Sequence, residues 1–308
     1  MKVFVTGASG WIGSAVVPNL INAGHSVVGL ARSDKSAEVL AKAGVEVQRG
    51  SLDDLDVLRS TAADSDGVIH LAFKHDIAFT GDFEGAAAAD RRAVEVFGEA
   101  LAGSNKPFVL ASGLLGLKPG ILATEKDGLE STPATISLNS GPDTRRGTAH
   151  LTLSLASKGV RSSIVRLSPT VHGDGDNGFM AILIKIARNK AKAGYIGDGL
   201  NRWPAVHRSD AAKLFCLALE KAPAGSTLHA AAEEGVTIRS IAEVMGKHLS
   251  VPVVSISPDE ASEHFGFLGN FLALDSPISS EATRKLLDWN PVGPGLIADL
   301  DEGHYFKE

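Results

Sequence analysis

The sequence predicts an α/β fold, a doubly wound parallel sheet with a smaller C-terminal lobe. Three observations predict it. Val3-Phe4-Val5 is an unbroken apolar run, followed by Thr6-Gly7-Ala8-Ser9-Gly10-Trp11-Ile12-Gly13 and an amphipathic stretch to Leu20. That is the order buried strand, glycine turn, helix. Five more short apolar runs then alternate with helical patterns as far as Leu167, which argues for parallel strands joined by crossover helices. Beyond Leu167 the pattern turns irregular, and about the last fifty residues are broken by Pro252, Pro258, Pro277, Pro291 and Pro294. The expected division is a sheet domain at 1–175, with 203–231 returning to it, and a substrate lobe at 176–202 and 232–308.

The N-terminal unit is of the Rossmann type and suits a dinucleotide pyrophosphate. Gly7 permits the sharp turn, Gly10 lets the backbone approach the phosphates, and Gly13 lets the helix pack close to the strand. The spacing is Gly-x-x-Gly-x-x-Gly, and the flanking strand and helix are what give it meaning. Ser9 and Trp11 share the turn. Ile12 opens a helix whose free N–H groups and partial positive charge face the anion.

The remaining elements follow in order. A strand is expected at Ser26 to Ala31, after a helix stopped by Gly24, and a third at Val45 to Gln48. Ser51 to Leu55 starts a helix, Gly67 to Leu71 is a fourth strand, and Glu84 to Ala102 a long helix. Phe108 to Ala111, a helix from Asp143 to Lys158, and Ser162 to Leu167 complete the sheet. Ser168 to Asp176 reads as a polar loop, followed by a helix from Phe179 to Asn189. Ser209 and Thr237 can cap the next two helices. Ligands bind beyond the carboxyl ends of such strands. Arg32, Asp53, Ala72, Ser112 and Ser168 lie just past them and should share one edge.

Arg32 can stack on adenine and pair with a 2′-phosphate, and Ser33 can donate a hydrogen bond to it. NADP is therefore expected over NAD, although Asp34 is close by. Asp53 is placed beside the adenine, and Leu71, Ala72 and Phe73 along the phosphate and ribose.

The composition narrows the partners. The chain has 308 residues, 44% of them hydrophobic, and a net charge of -6 without a basic block. This argues against nucleic acid and anionic membranes. One cysteine, Cys216, excludes an internal disulfide and a cysteine-cluster metal site. The histidines are too dispersed to propose a metal. The start in a strand and the lack of a span-length apolar run lead us to expect a soluble, cytoplasmic protein. The partner expected is a small-molecule substrate, with a homodimer as the candidate assembly.

With these residues in place, the chain resembles the extended short-chain dehydrogenase/reductase superfamily, of the NAD-dependent epimerase/dehydratase type. Thr6 to Gly13 matches its cofactor turn, and Gly50-Ser51-Leu52-Asp53 its adenine-side segment. His70-Leu71-Ala72 matches its fourth-strand end and Ala111-Ser112-Gly113 its catalytic-serine strand. Val165-Arg166-Leu167 with Val171-His172-Gly173, and Gly197-Asp198-Gly199 through Ala212, resemble its later segments. The resemblance implies Tyr-x-x-x-Lys on the helix after the serine, where the tyrosine exchanges the substrate proton. That helix reads Asp143-Thr144-Arg145-Arg146-Gly147-Thr148-Ala149-His150, and the chain's two tyrosines are Tyr195 and Tyr305. The chain thus resembles an atypical subgroup with basic residues in place of the pair.

Ser112 is the candidate to orient a substrate oxygen. Arg145 and Arg146 can polarise a carbonyl or hold a ribose, but an arginine binds its proton too tightly to be an acid. His150 titrates near neutrality and shares a helix face with Arg146. Asp90 can relay protons or pair with Arg91 or Arg92, and the ion pair is the expected role. His75, His172, Trp203 and His207, with Lys118, Glu125 and Asp127, are expected around the substrate pocket. The leading function is hydride transfer between NADP(H) and a small carbonyl or hydroxyl compound. The alternatives are a catalytically silent NADP-binding sensor and a nucleotide-sugar epimerase or dehydratase. The last is disfavoured because the tyrosine is missing and Gly113 follows Ser112 where dehydratases carry an acid.

Overall fold

The computed structural model describes residues 1–78, 81–129 and 141–307, and the side chains of all of these except 141–144. Seven parallel strands form the main sheet in the order β10-β6-β5-β4-β1-β2-β3. They are β1 (Lys2–Thr6), β2 (Ser26–Ala31), β3 (Glu46–Arg49), β4 (Gly67–His70), β5 (Pro107–Gly113), β6 (Arg161–Leu167) and β10 (Ser226–Ala230). The order reverses between β1 and β4, which is where such sheets open a crevice for ligands.

Alternate residues of each strand face opposite layers. Val3, Val5, Val27 and Val109 face α1 (Gly13–Asn22) and α8 (Arg208–Lys221), with Phe215 and Trp289 in the same layer. Phe4, Val28, Val68 and Phe108 face α3 (Leu55–Ala63), α5 (Phe83–Leu101) and α6 (Gly141–Ser154). Phe97 of α5 is fully buried here, with its ring edge-on to Phe4 and to His70. Two short helices, α2 (Asp34–Lys42) and α4 (His75–Ala78), follow β2 and β4.

A second apolar cluster lies around α7 (Phe179–Lys190) and α9 (Ile238–Leu249). Two small sheets join it: β8 (Ala193–Ile196) with β12 (Val253–Ile256), and β9 (Arg202–His207) between β7 (Thr170–His172) and β11 (Glu233–Thr237). Thr237 caps α9 as expected, and Ile238, Ile241, Val244 and Met245 are buried along one face.

Several expectations are corrected. The polar stretch after Leu167 contains a strand, β7, because its backbone pairs with β9. The cap of α8 is His207, whose ring nitrogen accepts from the Ser209 backbone, so Ser209 lies inside the helix. Helix α3 begins at Leu55, because Asp54 turns back to accept from the Ser51 backbone at 2.7 Å and hydroxyl at 2.8 Å. Strand β5 extends through Ser112, which is paired with Arg166 of β6.

Phe97→Ala should destabilise the fold by about 3–5 kcal/mol, the range for removing a fully buried aromatic ring. The check is the shift of the urea midpoint at constant m-value.

Candidate active site

At the glycine turn, Gly7 has φ +69° and its amide neighbourhood is crowded: a Cβ there would lie 2.8 Å from the Ala72 nitrogen. A Cβ on Gly13 would lie 2.1 Å from the Gly7 carbonyl oxygen, and one on Gly10 would lie 3.2 Å from it. The turn is closed by the Gly10 amide donating to that oxygen at 2.9 Å. Helix α1 then starts at Gly13, one residue later than expected, and its N-cap, Ile12, offers no side-chain hydrogen bond. The first N–H groups of α1 therefore lack a side-chain cap, and such a terminus favours an anion. These residues fit a dinucleotide phosphate: a bare backbone cradle and an uncapped helix start.

Ser9 and Gly10 remain partly open, whereas Trp11 turns away to donate to the Val171 carbonyl at 3.1 Å. Arg208, a residue the motif reading gave no role, stacks 4.1 Å over the Trp11 ring and donates to the Trp11 carbonyl at 2.7 Å. Ser33 is the N-cap of α2, accepting from the Ser36 amide, and Arg32 pairs with Asp76 at 2.8 Å. Asp53 holds Lys74 at 2.6 Å. Leu71 and Ala72 tie the end of β4 to β1, donating to the Thr6 carbonyl at 3.2 Å and hydroxyl at 3.3 Å.

A buried polar chain runs from this turn to α6. Thr6 Oγ1 lies 2.6 Å from His70 Nδ1, and His70 Nε2 lies 3.1 Å from Asp90 Oδ1. Because Asp90 accepts, the His70 Nε2 carries the proton there, and Nδ1 can accept from the Thr6 hydroxyl. The other Asp90 oxygen is 4.0 Å from Arg145 Nε. Asp90 thus pairs with neither Arg91, which meets Glu95, nor Arg92, which reaches toward Asp53. Successive helix residues are about 100° apart, so the buried face of α5 carries Asp90 and the outer faces the arginines. Arg145 stacks 4.2 Å over Phe73 and donates to the Ala111 carbonyl at 3.1 Å.

Ser112, Arg146 and His150 do come together. With Gly128, Leu117 and Arg166 they line a cavity of about 10 Å³, the size of one water molecule. Arg146 donates to the Gly116 carbonyl at 2.7 Å. Burial, then the charge of Arg166, pushes the His150 pKa below the usual histidine range. His150 is therefore neutral at pH 7, a proton acceptor before it is an acid, which corrects the expectation from its residue type alone.

Arg166 is a second residue that the motif reading left without a role, although it too stood inside a quoted segment. It is buried, donates to the Asp127 carbonyl at 2.7 Å, and lies 3.3 Å from His229 Nε2. Burial, with the Arg146 charge, lowers its pKa to about 10. His229 Nδ1 faces the Ser279 carbonyl at 2.8 Å and must donate, so Nε2 accepts from Arg166.

The other expected pocket residues are placed elsewhere. Trp203 is fully buried in the second cluster, 5.8 Å from Phe179. His172 is buried against Asp299 at 2.8 Å, and His207 caps α8. His75 packs on Phe73. Glu125 accepts from Thr283, and Asp127 pairs with Lys118. None of these side chains is among the residues lining the Ser112 cavity. Tyr195 lies in β8 under Arg239, and Tyr305 donates to Asp176 at 2.9 Å. Neither is part of α6.

The model of the NAD dependent epimerase/dehydratase family matches residues 3–95. The chain is 48% identical over 307 residues to the protein C2A9.02 of Schizosaccharomyces pombe, covering 99% of this chain and 100% of that one. The chain belongs to the NAD-dependent epimerase/dehydratase family. It is also 26% identical over 284 residues to a 4-hydroxy-2-methyl-3-oxo-4-farnesyl-3,4-dihydroquinoline-1-oxide ketoreductase of Stigmatella aurantiaca, covering 86% of this chain and 80% of that one. The structure of MoeE5 in complex with UDP-glucose and NAD superposes with a TM-score of 0.74 at 21% identity, over 97% of this chain and 96% of that one. That likeness shows the fold.

Gly13→Ala should destabilise the fold by about 2–4 kcal/mol, since the clash is with backbone that cannot yield. Melting temperature and the affinity for NAD(P)H in a fluorescence titration should both fall. Stability should also fall on acidification. Burial holds the folded His229 pKa down to about 4, while the unfolded value is about 6.5. Between the two the unfolded chain binds a proton that the folded chain refuses, so stability drops as pH falls. Urea unfolding at pH 7 and 4.5 should differ by about 2–3 kcal/mol from this group, and His229→Asn should flatten the difference.

Proposed function

We propose that the chain is an oxidoreductase that uses NADP and acts on a small carbonyl or hydroxyl compound. The observation that carries this reading is the common edge of the sheet. The bare Gly7–Gly13 cradle with its uncapped helix, and the end of β5 with Ser112, Arg146 and His150 around one cavity, lie at the carboxyl ends of the parallel strands β1 and β5, on either side of β4. The nicotinamide cofactor supplies the hydride when bound. Ser112 orients the substrate oxygen. His150, neutral at pH 7, accepts the proton of a substrate hydroxyl; to serve carbonyl reduction it first takes up a proton from solvent and then delivers it to the oxygen, directly or through one water held in the cavity. Arg145, fixed between Phe73 and the Ala111 carbonyl, presents a positive charge beside the strand that carries Ser112. The segments 176–202 and 232–308 form the substrate lobe in this reading.

Arg32 at the end of β2 supports NADP, since a guanidinium there can pair with a 2′-phosphate. The family description and the NAD in the MoeE5 complex support NAD. The similarity to a ketoreductase supports carbonyl reduction over epimerisation. One observation favours the second reading, a cofactor-binding sensor: the cavity holds only a water-sized group, and both arginines of α6 are engaged with backbone carbonyls.

NADPH should bind at least several-fold tighter than NADH in fluorescence titrations, and Ser112→Ala should lower kcat on any accepted carbonyl about 10²-fold with little change in cofactor affinity. Tighter binding of NADH would remove the NADP assignment. Cofactor binding with no turnover across a carbonyl and alcohol panel would leave the sensor.

A further inference from the structure

Two ion pairs surround the N-cap of α2. Arg32, just past β2, donates to Asp76 of α4 at 2.8 Å. Arg49, at the end of β3, donates to the Ser33 carbonyl at 2.7 Å and pairs with Asp34. Two guanidinium charges thus meet two carboxylates around Ser33, so the region is balanced before any ligand arrives.

The two carboxylates are not equivalent. Asp34 sits in the first turn of α2, where the helix dipole favours it, and it moves with Ser33. Asp76 comes from a different element. It reaches from the segment after β4 to the end of β2, and next to it Lys74 reaches Asp53 beyond β3. Among the described residues, Asp76 is the hydrogen-bond partner of the Arg32 side chain. The pair is well exposed, 65% for Arg32 and 51% for Asp76, so it is weak and an arriving anion can replace it. The Arg32 hydrogen bond holds the Asp76 carboxyl below the usual range, so it is ionised at neutral pH.

We propose that Asp76 is a specificity-determining residue, a carboxylate that occupies Arg32 in place of a 2′-phosphate and sets the preference between NADPH and NADH. The proposal rests on the assignment of Arg32 to the 2′ position. A 2′-phosphate must either displace the Asp76 carboxylate or sit beside a like charge. A plain 2′-hydroxyl meets neither cost, and the ion pair can persist beside it. Asp76 therefore opposes NADPH selectively.

The experiment is fluorescence titration of the full chain with NADPH and with NADH, for the wild type, Arg32→Ala and Asp76→Asn. Melting temperatures confirm that each variant is folded. Asp76→Asn should tighten NADPH roughly three- to tenfold at low salt, with the gain shrinking at about 0.5 M NaCl, and should leave NADH nearly unchanged. Arg32→Ala should weaken NADPH and spare NADH. If Arg32→Ala leaves the NADPH-to-NADH ratio unchanged, the NADP assignment fails and takes this inference with it. If Arg32→Ala lowers that ratio but Asp76→Asn leaves NADPH affinity unchanged or weaker, the role of Asp76 fails alone. Equal tightening of both cofactors by Asp76→Asn would also overturn it, because it would report a general opening of the groove.

Discussion

The approach of α1 to the glycine turn is the contact on which the rest of the molecule depends. The helix comes so close that a single Cβ on Gly13 would stand 2.1 Å from the Gly7 oxygen. That closeness aims the uncapped start of α1 at the sheet edge and brings the turn against Ala72 at the end of β4. It also fixes what lies behind. Helix α1 packs on α8, whose first residue, Arg208, returns to cover Trp11 and to bond Ser14 at 2.6 Å. Two elements almost two hundred residues apart in sequence thus close around one turn.

From that turn a polar chain crosses the core. Buried carboxylates are expensive unless paired and hydrogen-bonded. Asp90 meets both conditions, with His70 on one oxygen and Arg145 near the other. The cost is met by groups at three different sites: Thr6 at the cofactor turn, His70 on the switch-point strand, Arg145 on α6. Their shared satisfaction links the cofactor edge to the helix that carries the basic residues. It also separates two neighbours in sequence. Arg145 turns toward β4 and the Ala111 carbonyl, while Arg146 turns toward the Ser112 cavity. Arg145 is thereby held away from the cavity, which Arg146, His150 and Ser112 share.

Many polar residues of the later segments serve packing. His172 and Asp299 hold each other in the interior, and Trp203 anchors the second apolar cluster. Arg166, His229 and Glu125 form a buried set that ties β6 and β10 to the segment around Asp127 and to Thr283. A polar or aromatic side chain in a turn-rich stretch carries no mark of whether it faces a substrate or a neighbouring strand.

Six of the seven strands were legible because most carry a short apolar run and the turns carry their own chemistry; β10 was not, since Ser226-Thr227-Leu228-His229-Ala230 has no such run and is placed only by its pairing with β6. Val3 to Gly13, Ser26 to Ala31 and the Thr237 cap of α9 are local patterns, decided within a few residues by burial, φ and capping. The close packing of the glycine turn was equally legible at Gly10 and Gly13, which act on Gly7 and Ala8 nearby in sequence, whereas the approach of Gly7 to Ala72 was not. The partners of Asp90, Arg32 and Arg208 were not. Each is chosen by a strand or helix distant in sequence, and a charge list offers several candidates of equal standing. Strand β7 was hidden for the same reason: Thr170 to His172 is too short to read alone and exists only because β9 supplies its hydrogen bonds. The sequence by itself determined the fold class and the shape of the glycine turn, which rest on local periodicity and local sterics. Only the tertiary structure decided which cation meets which carboxylate and which histidine is held neutral, because burial and long-range pairing exist only once the layers have packed.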